Sequence, residues 1–503
     1  MKKTLFIKNA VIMTASSLIL RFLGMCFKVR AAALLGDKGI GLYGVIFSVY
    51  IFASSFAQAG LCTAVTRLCA EAEERNEDST PVFKKCMLLS CFVGVVAGII
   101  MLFSADFTAK HWLGVESAGI CLKIICISLP FLGMSSALRG YFLARRNASP
   151  CAVSQIFEQT VRIFLSMYLL KKFAPLGIVS GCIALTIGDV AAEIVCCIYL
   201  VLRRFAEIKK DKLSLHKTGD GYPQILRIAF PLTCGKYGGA LFRTAENVLV
   251  PKTLSKMSGT ASGGLSFFGN IKGMALPVLL FPGSFLNSVS SLLLPEISAS
   301  RSAGRKYVLK SLCEQILKLT LLFSIYFACL FSEVGAPLGR LLYNSDKVAF
   351  LLTILAPLVP LMYLDCVSDG ILKGLDCQKF CFRVGIIDSF LRVVAVILFL
   401  PHYGMRAFLV IMYASNILTA FLNTKQMKIK SGAEIDPFKW VFLPLILCIG
   451  ISRLSVFFLT KNIKGDLVYI ILYTVITSVL YFASLFIFKI LTGDDIHAII
   501  KNG

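Results

Sequence analysis

The sequence predicts an all-α integral membrane protein of about fourteen transmembrane helices, built as two six-helix bundles related by pseudo-twofold symmetry plus two C-terminal helices. Three observations predict it. Hydrophobic residues make up 57% of the 503 and charged residues only 16%, a balance suited to a lipid solvent. The apolar residues gather in runs near the ~20 residues that a helix needs to cross a bilayer. Features of the first half also return in the second at a fixed offset.

The elements follow in chain order. The start, MKKTLFIKNAVIMTASSLILRF, has a basic lead but no separate apolar core with a small-residue cleavage site, so it is expected to remain as the first helix. Apolar runs fall at 6–34, 42–66, 85–105, 118–143, 151–171, 177–202, 224–250, 265–295, 312–334, 348–373, 380–400, 404–426, 438–460 and 466–490. The longer ones must tilt, bend or project into water. Pro130, Pro277 and Pro282 lie inside runs and predict kinks, because each removes a helical hydrogen bond.

Loop charge sets the orientation. With the N-terminus in the cytoplasm, the inside segments hold about thirty Lys and Arg against about eleven outside, which also places the C-terminus in the cytoplasm. The net charge of +24 is thereby assigned to a multi-pass protein of the bacterial cytoplasmic membrane, with membrane lipids and no nucleic acid as partners. The longest basic segment, RRFAEIKKDKLSLHKTGDGYPQILR, interrupts the apolar runs near mid-chain. The domain reading is an N-lobe at 1–205, a cytoplasmic linker at 206–222, a C-lobe at 223–430 and the two C-terminal helices at 431–503.

The repeat is specific at one point. GYFLARRNASP at Gly140 matches GILKGLDCQKF at Gly370, and each is followed by an acid and, four residues later, an arginine: Glu158/Arg162 and Asp388/Arg392. Each pair is expected to neutralise itself along one helix face. More loosely, GIGLYGVIF at 39–47 matches GGLSFFGNI at 263–271, and Asp189 matches Asn416. Six spans restore the starting side, so the repeats run parallel about an axis along the membrane normal. Two such bundles facing each other predict an alternating-access transporter; the pore-lining ring of a channel is missing from the sequence.

The charged residues inside spans indicate what is moved. A charge at mid-bilayer costs roughly 2.5–3.5 kcal/mol on insertion scales, so it faces protein or water. On the first helix Thr14, Ser17, Arg21, Gly24 and Lys28 share a stripe, while Arg30 points elsewhere and is interfacial. Arg21 is either neutralised by Asp189 or Glu193, or lines a cavity with Lys28. The seventh span repeats the pattern with Lys236, Arg243 and Glu246, and Lys272 is isolated among apolar residues of the eighth. Arg21, Lys28, Arg243 and Lys272 are the candidate substrate-binding residues, suited together to a phosphate or pyrophosphate. The pairs Asp189/Glu193 and Asp365/Asp369 are structural partners of such cations or proton or sodium sites; Glu246, Asp388 and Asn416 are further ion-coupling candidates. The 18 cysteines lie mostly in apolar runs as filler, and the four histidines lack ligand spacing. With no P-loop, GxSxG or HExxH, neither an enzyme nor a metal or cofactor is expected, only coupling to membrane potential, H+ or Na+.

Three stretches, RFLGMCFKVRAAALLGDKGIGLYG, FFGNIKGMALPVLLFPGSFLNSVSSLLLPEISAS and GILKGLDCQK, resemble the stage V sporulation protein B-like polysaccharide transporters of the multidrug/oligosaccharidyl-lipid/polysaccharide exporter superfamily. The resemblance covers nearly the whole chain. It implies a multidrug-exporter- or lipid II flippase-like fold. It further implies a flippase for undecaprenyl-pyrophosphate-linked saccharides, with peptidoglycan precursors for the spore cortex as the sporulation members' substrate. It implies a monomer with cell-wall synthesis enzymes as partners. First-helix arginines contact substrate in the lipid II flippase, and that role carries to Arg21; the next family cation is Arg in close relatives but Lys28 here. The flippase's second-helix cations have no counterpart in 42–66, and its last two helices, which form a lipid-tail groove, correspond to 438–490. Two rival readings are a multidrug or organic-cation antiporter, which would favour an acidic or aromatic cavity, and a non-transporting scaffold for cell-wall enzymes.

Overall fold

The computed structural model describes the chain except residues 1, 59, 76–77, 146, 209–221, 259–260, 461–464 and 492–503. Side chains at 2–15, 222–224, 226–232, 234–236, 291–295 and a few single helical positions also lie outside the description. Most of the expected linker at 206–222 therefore falls outside the described residues, as do the side chains of Thr14 and Lys236.

The described residues are almost wholly helical. The helices are α1 (Lys2–Gln58), α2 (Leu61–Glu74), α3 (Thr80–Phe107), α4 (Ala118–Ile125), α5 (Ser128–Ala144), α6 (Ser149–Phe173), α7 (Ile178–Ile208), α8 (Tyr222–Ser258) and α9 (Ala261–Phe268). Then come α10 (Leu276–Leu280), α11 (Gly283–Ser302), α12 (Lys306–Tyr343), α13 (Asp346–Leu355), α14 (Val359–Gly374), α15 (Gln378–Ser431), α16 (Leu443–Thr460) and α17 (Asp466–Ile487). Ten helical stretches are long and apolar enough to cross a membrane among the described residues. Two of these, Ser16–Ala72 and Gln378–Ser431, each hold two expected spans, and α6 and α8 occupy the remaining two. The protein is a multi-pass membrane protein of the expected all-α class.

Helix breaks fall where backbone chemistry places them. α1 and α15 each turn sharply at a glycine, Gly36 (φ 70°) and Gly404 (φ 57°), in the left-handed region that glycine enters without strain. Each of the three expected prolines also marks a break. Pro130 follows the turn between α4 and α5, Pro277 opens α10, and Pro282 separates α10 from α11.

The chain forms two compact packing units: Met1–Gly269 with Val393–Met405, and Asn270–Arg392 with Arg406–Gly503. The boundary lies after α9 rather than at the basic mid-chain segment, so α8 and α9, assigned by sequence to the C-lobe, pack in the first unit with α1. One contact there is backbone on backbone. A Cβ on Gly41 would lie 1.9 Å from the Leu265 carbonyl oxygen, and one on Gly269 2.1 Å from the Asp37 carbonyl oxygen. Ser266 Oγ donates to Asp37 Oδ2 beside it. These are the two segments that the sequence matches across the repeat.

The first unit's apolar core lies between α2, α3, α5 and α7, where Leu61, Val65, Phe83, Leu138, Tyr141 and Leu200 are buried together. In the second unit α16 and α17 pack on α12 through Tyr326, Tyr473 and Tyr481. Buried hydroxyls find partners inside that helix layer: Tyr326 Oη lies 2.6 Å from Ser478 Oγ, and Tyr481 Oη donates to the Leu322 carbonyl at 3.0 Å.

Candidate functional site

The polar residues of α6 recur at helical spacing. Gln155, Glu158, Gln159 and Arg162 fall on one face, and α7 answers with Asp189, Glu193 and Cys196. The two helices pack along these faces within the first unit. Arg162 is the hub. Its Nη2 lies 2.9 Å from Glu158 Oε1 and 3.9 Å from Glu193 Oε1, and its Nε lies 3.0 Å from Asp189 Oδ1. From α5, Arg139 Nη2 donates to Glu158 Oε2 at 2.8 Å and to Cys196 Sγ at 3.1 Å. From α1, Tyr43 Oη donates to Asp189 Oδ2 at 2.6 Å. Asp189 and Glu193 are 3% and 6% exposed, so the charges depend on one another and not on water.

Tyr43→Phe removes one donor from a buried carboxylate and keeps the ring. A hydrogen bond to a charged group contributes about 1.5–3 kcal/mol. The expected outcome is a melting temperature lowered by a few degrees in detergent-purified protein, with the helical circular-dichroism signal intact. An unchanged melting temperature would mean that water replaces the hydroxyl.

Asp189 and Glu193 face Arg162, not Arg21. Arg21 and Lys28 are exposed and make no hydrogen bond or ion pair among the described residues. Their stripe lies toward α6 at one point: a Cβ on Gly24 would sit 3.5 Å from Gln159 Nε2. Arg243 is also exposed, and its Nε donates to the Gly239 carbonyl of its own helix. Glu246 is buried and partnered.

The second unit holds the remaining candidates. Lys272 lies in the wide turn Gly269–Ala275, half-buried between Ile271 and Met274. It is partnered, which corrects the expectation of an isolated cation. The expected pair Asp388/Arg392 does not form. The turn at Gly404 returns the second half of α15 alongside the first, and Ser415 Oγ donates to Asp388 Oδ1 at 2.5 Å. Arg392 has other contacts. Asn416 does not join Asp388 either, because its Nδ2 donates to the Met412 carbonyl of its own helix at 2.8 Å. Asp365 instead accepts from Asn423 Nδ2 at 2.8 Å, and Asp369 pairs with Lys373 at 2.5 Å. Sequence reasoning missed Arg139, Tyr43, Gln159 and Asn423. Gln159 was recoverable from the spacing of α6, whereas the others join only through packing.

Comparison with known proteins agrees with this architecture. The chain is 24% identical to stage V sporulation protein B of Bacillus subtilis (strain 168), with 99% of this chain and 98% of that protein covered. A solved lipid II flippase MurJ in an inward closed conformation superposes with a TM-score of 0.72 at 17% identity, covering 95% of this chain and 99% of that one. An inward-facing multidrug resistance transporter of the MATE family in the MOP superfamily superposes at 0.67 with 13% identity, covering 84% and 98%. A model of the family described as polysaccharide biosynthesis protein matches residues 6–300, more than half of the chain, and the chain belongs to that family.

Proposed function

We propose that this protein is an alternating-access flippase that moves an undecaprenyl-pyrophosphate-linked saccharide, a peptidoglycan or polysaccharide precursor, across the cytoplasmic membrane. One observation carries the reading. Arg21 and Lys28 have no partner among the described residues, although buried acids are present in the same unit. An unneutralised arginine inside a membrane helix is costly unless it has a ligand or water. A diphosphate supplies the missing charge, and the guanidinium fork matches its oxygens. Lys28 adds a point charge two turns along. The relative named for sporulation supports spore cortex precursor as the cargo.

In this reading the polyprenyl tail stays in lipid while the headgroup meets Arg21 on the cytoplasmic side. The lobes then rock, and membrane potential or an H+ or Na+ gradient biases the return. Both termini lie in the cytoplasm, and the protein works as a monomer alongside cell-wall synthesis enzymes. The test is translocation of a labelled lipid-linked precursor by the reconstituted protein. Arg21→Ala is expected to reduce translocation at least tenfold with an unchanged melting temperature; normal translocation by that variant refutes the role. Export of cationic dyes without lipid translocation would favour the multidrug antiporter, and neither activity would favour the scaffold.

A further inference from the structure

We infer that the charge cluster of α5, α6 and α7 is a proton-binding site, with Glu193 the carboxylate that takes and releases the proton. Three carboxylates, Glu158, Asp189 and Glu193, face two guanidiniums, Arg139 and Arg162, which leaves one negative charge in excess. The acids are not equally served. Glu158 has both arginines, and Asp189 has Arg162 and the Tyr43 hydroxyl. Glu193 has only the 3.9 Å approach of Arg162, and its Oε2 is buried with no hydrogen-bond partner. An orphaned carboxylate oxygen in a closed, membrane-embedded site is the place for the missing positive charge.

Of the remaining groups that face Glu193, only Arg139 brings positive charge, and its hydrogen bonds go elsewhere. Asp189 on its own helix and Glu158 across from it repel, Tyr50 from α1 is neutral, and Arg139 from α5 is bound to Glu158 and Cys196. Arg162 already sits among the three acids, where a metal ion would meet its repulsion, so the ligand is a proton. The step is simple. A hydronium ion gives its proton to Glu193 Oε2, leaving a neutral carboxylic acid and a water, and the reverse step releases it.

Gln159 gives the site a route to the α1 stripe. Its Oε1 accepts from Arg162 Nη1 at 3.1 Å, and its Nε2 lies over Gly24, one turn from both Arg21 and Lys28. Protonation removes the excess negative charge and so favours an anion at the stripe; by linkage, an anion there favours protonation. This coupling rests on the flippase reading, whereas the proton site does not.

The experiment is a pH titration of the detergent-purified full-length protein by infrared difference spectroscopy, with no substrate present. Wild type is expected to show, above the pH range in which exposed carboxylates protonate, a carbonyl stretch of a buried carboxylic acid that is gained and lost reversibly with pH. Glu193→Gln should abolish that band, Glu193→Asp should shift it, and Asp365→Asn in the second unit should leave it. A band that survives Glu193→Gln, or that is lost only in Glu158→Gln, overturns the assignment. So does a band that sodium removes from wild type at fixed pH, which would make the site a metal-ion site. If the band behaves as expected while Arg21→Ala translocates normally, the proton site stands and the flippase site falls.

Discussion

Arg162→Gln is expected to be the most damaging single substitution in the first unit. The arginine is the hub of three acids, two of them buried, and glutamine leaves Asp189 and Glu193 without their ion-pair partner. Removing one partner from a buried ion pair typically costs about 3–5 kcal/mol, because the other charge stays buried and uncompensated. The measurement is the melting temperature and monodispersity of the purified protein. The expected result is a large drop in both, with most of the loss recovered by adding Asp189→Asn. Arg162→Lys should fall between, because an ammonium keeps the charge but cannot reach three carboxylates from one planar fork. If Arg162→Gln melted like wild type, the cluster would be wet and its charges independent. The proton inference would then lose its basis as well.

Gly41→Ala is the second large effect, and its cause is steric. The added methyl would lie 1.9 Å from the Leu265 carbonyl oxygen and 2.7 Å from its carbon, both backbone atoms of α9. No rotamer relieves such a clash, so the helices must separate. Overpacking costs about 1–3 kcal/mol where side chains can yield, and more where backbone must move. Small residues at membrane helix crossings also provide the close van der Waals contact that holds helices together in lipid. The expected result is a strong loss of folded protein, read as yield and melting temperature. Gly385→Ala is the control. Nothing lies within 4 Å of its Cβ position, so alanine there should be neutral or gain roughly 0.5–1 kcal/mol from helix propensity. Equal behaviour of the two variants would show that α1 and α9 do not touch at Gly41.

The division between sequence and tertiary structure follows from the physics of each feature. Helix positions were legible because lipid offers no hydrogen bonds, so every span must satisfy its own backbone within one apolar run. The breaks at Pro130, Pro277 and Pro282 were legible for the same local reason, since a proline removes one of those bonds. The pair Glu158/Arg162 was legible because four residues bring side chains together on any helix.

The same spacing misled at Asp388/Arg392. There Ser415, which comes alongside only because α15 folds back at Gly404, takes the aspartate. Nor could spacing choose a partner for Arg21. Whether Asp189 and Glu193 neutralise it or serve Arg162 depends on which face of α7 meets α6. By itself, the sequence determined the class, the spans and the presence of costly charges inside them, because these are properties of single helices in lipid. Only the tertiary structure decided which charges cancel, which pair does not form and which cations have no partner among the described residues, because ion pairing at 3–4 Å is set by helix rotation and packing.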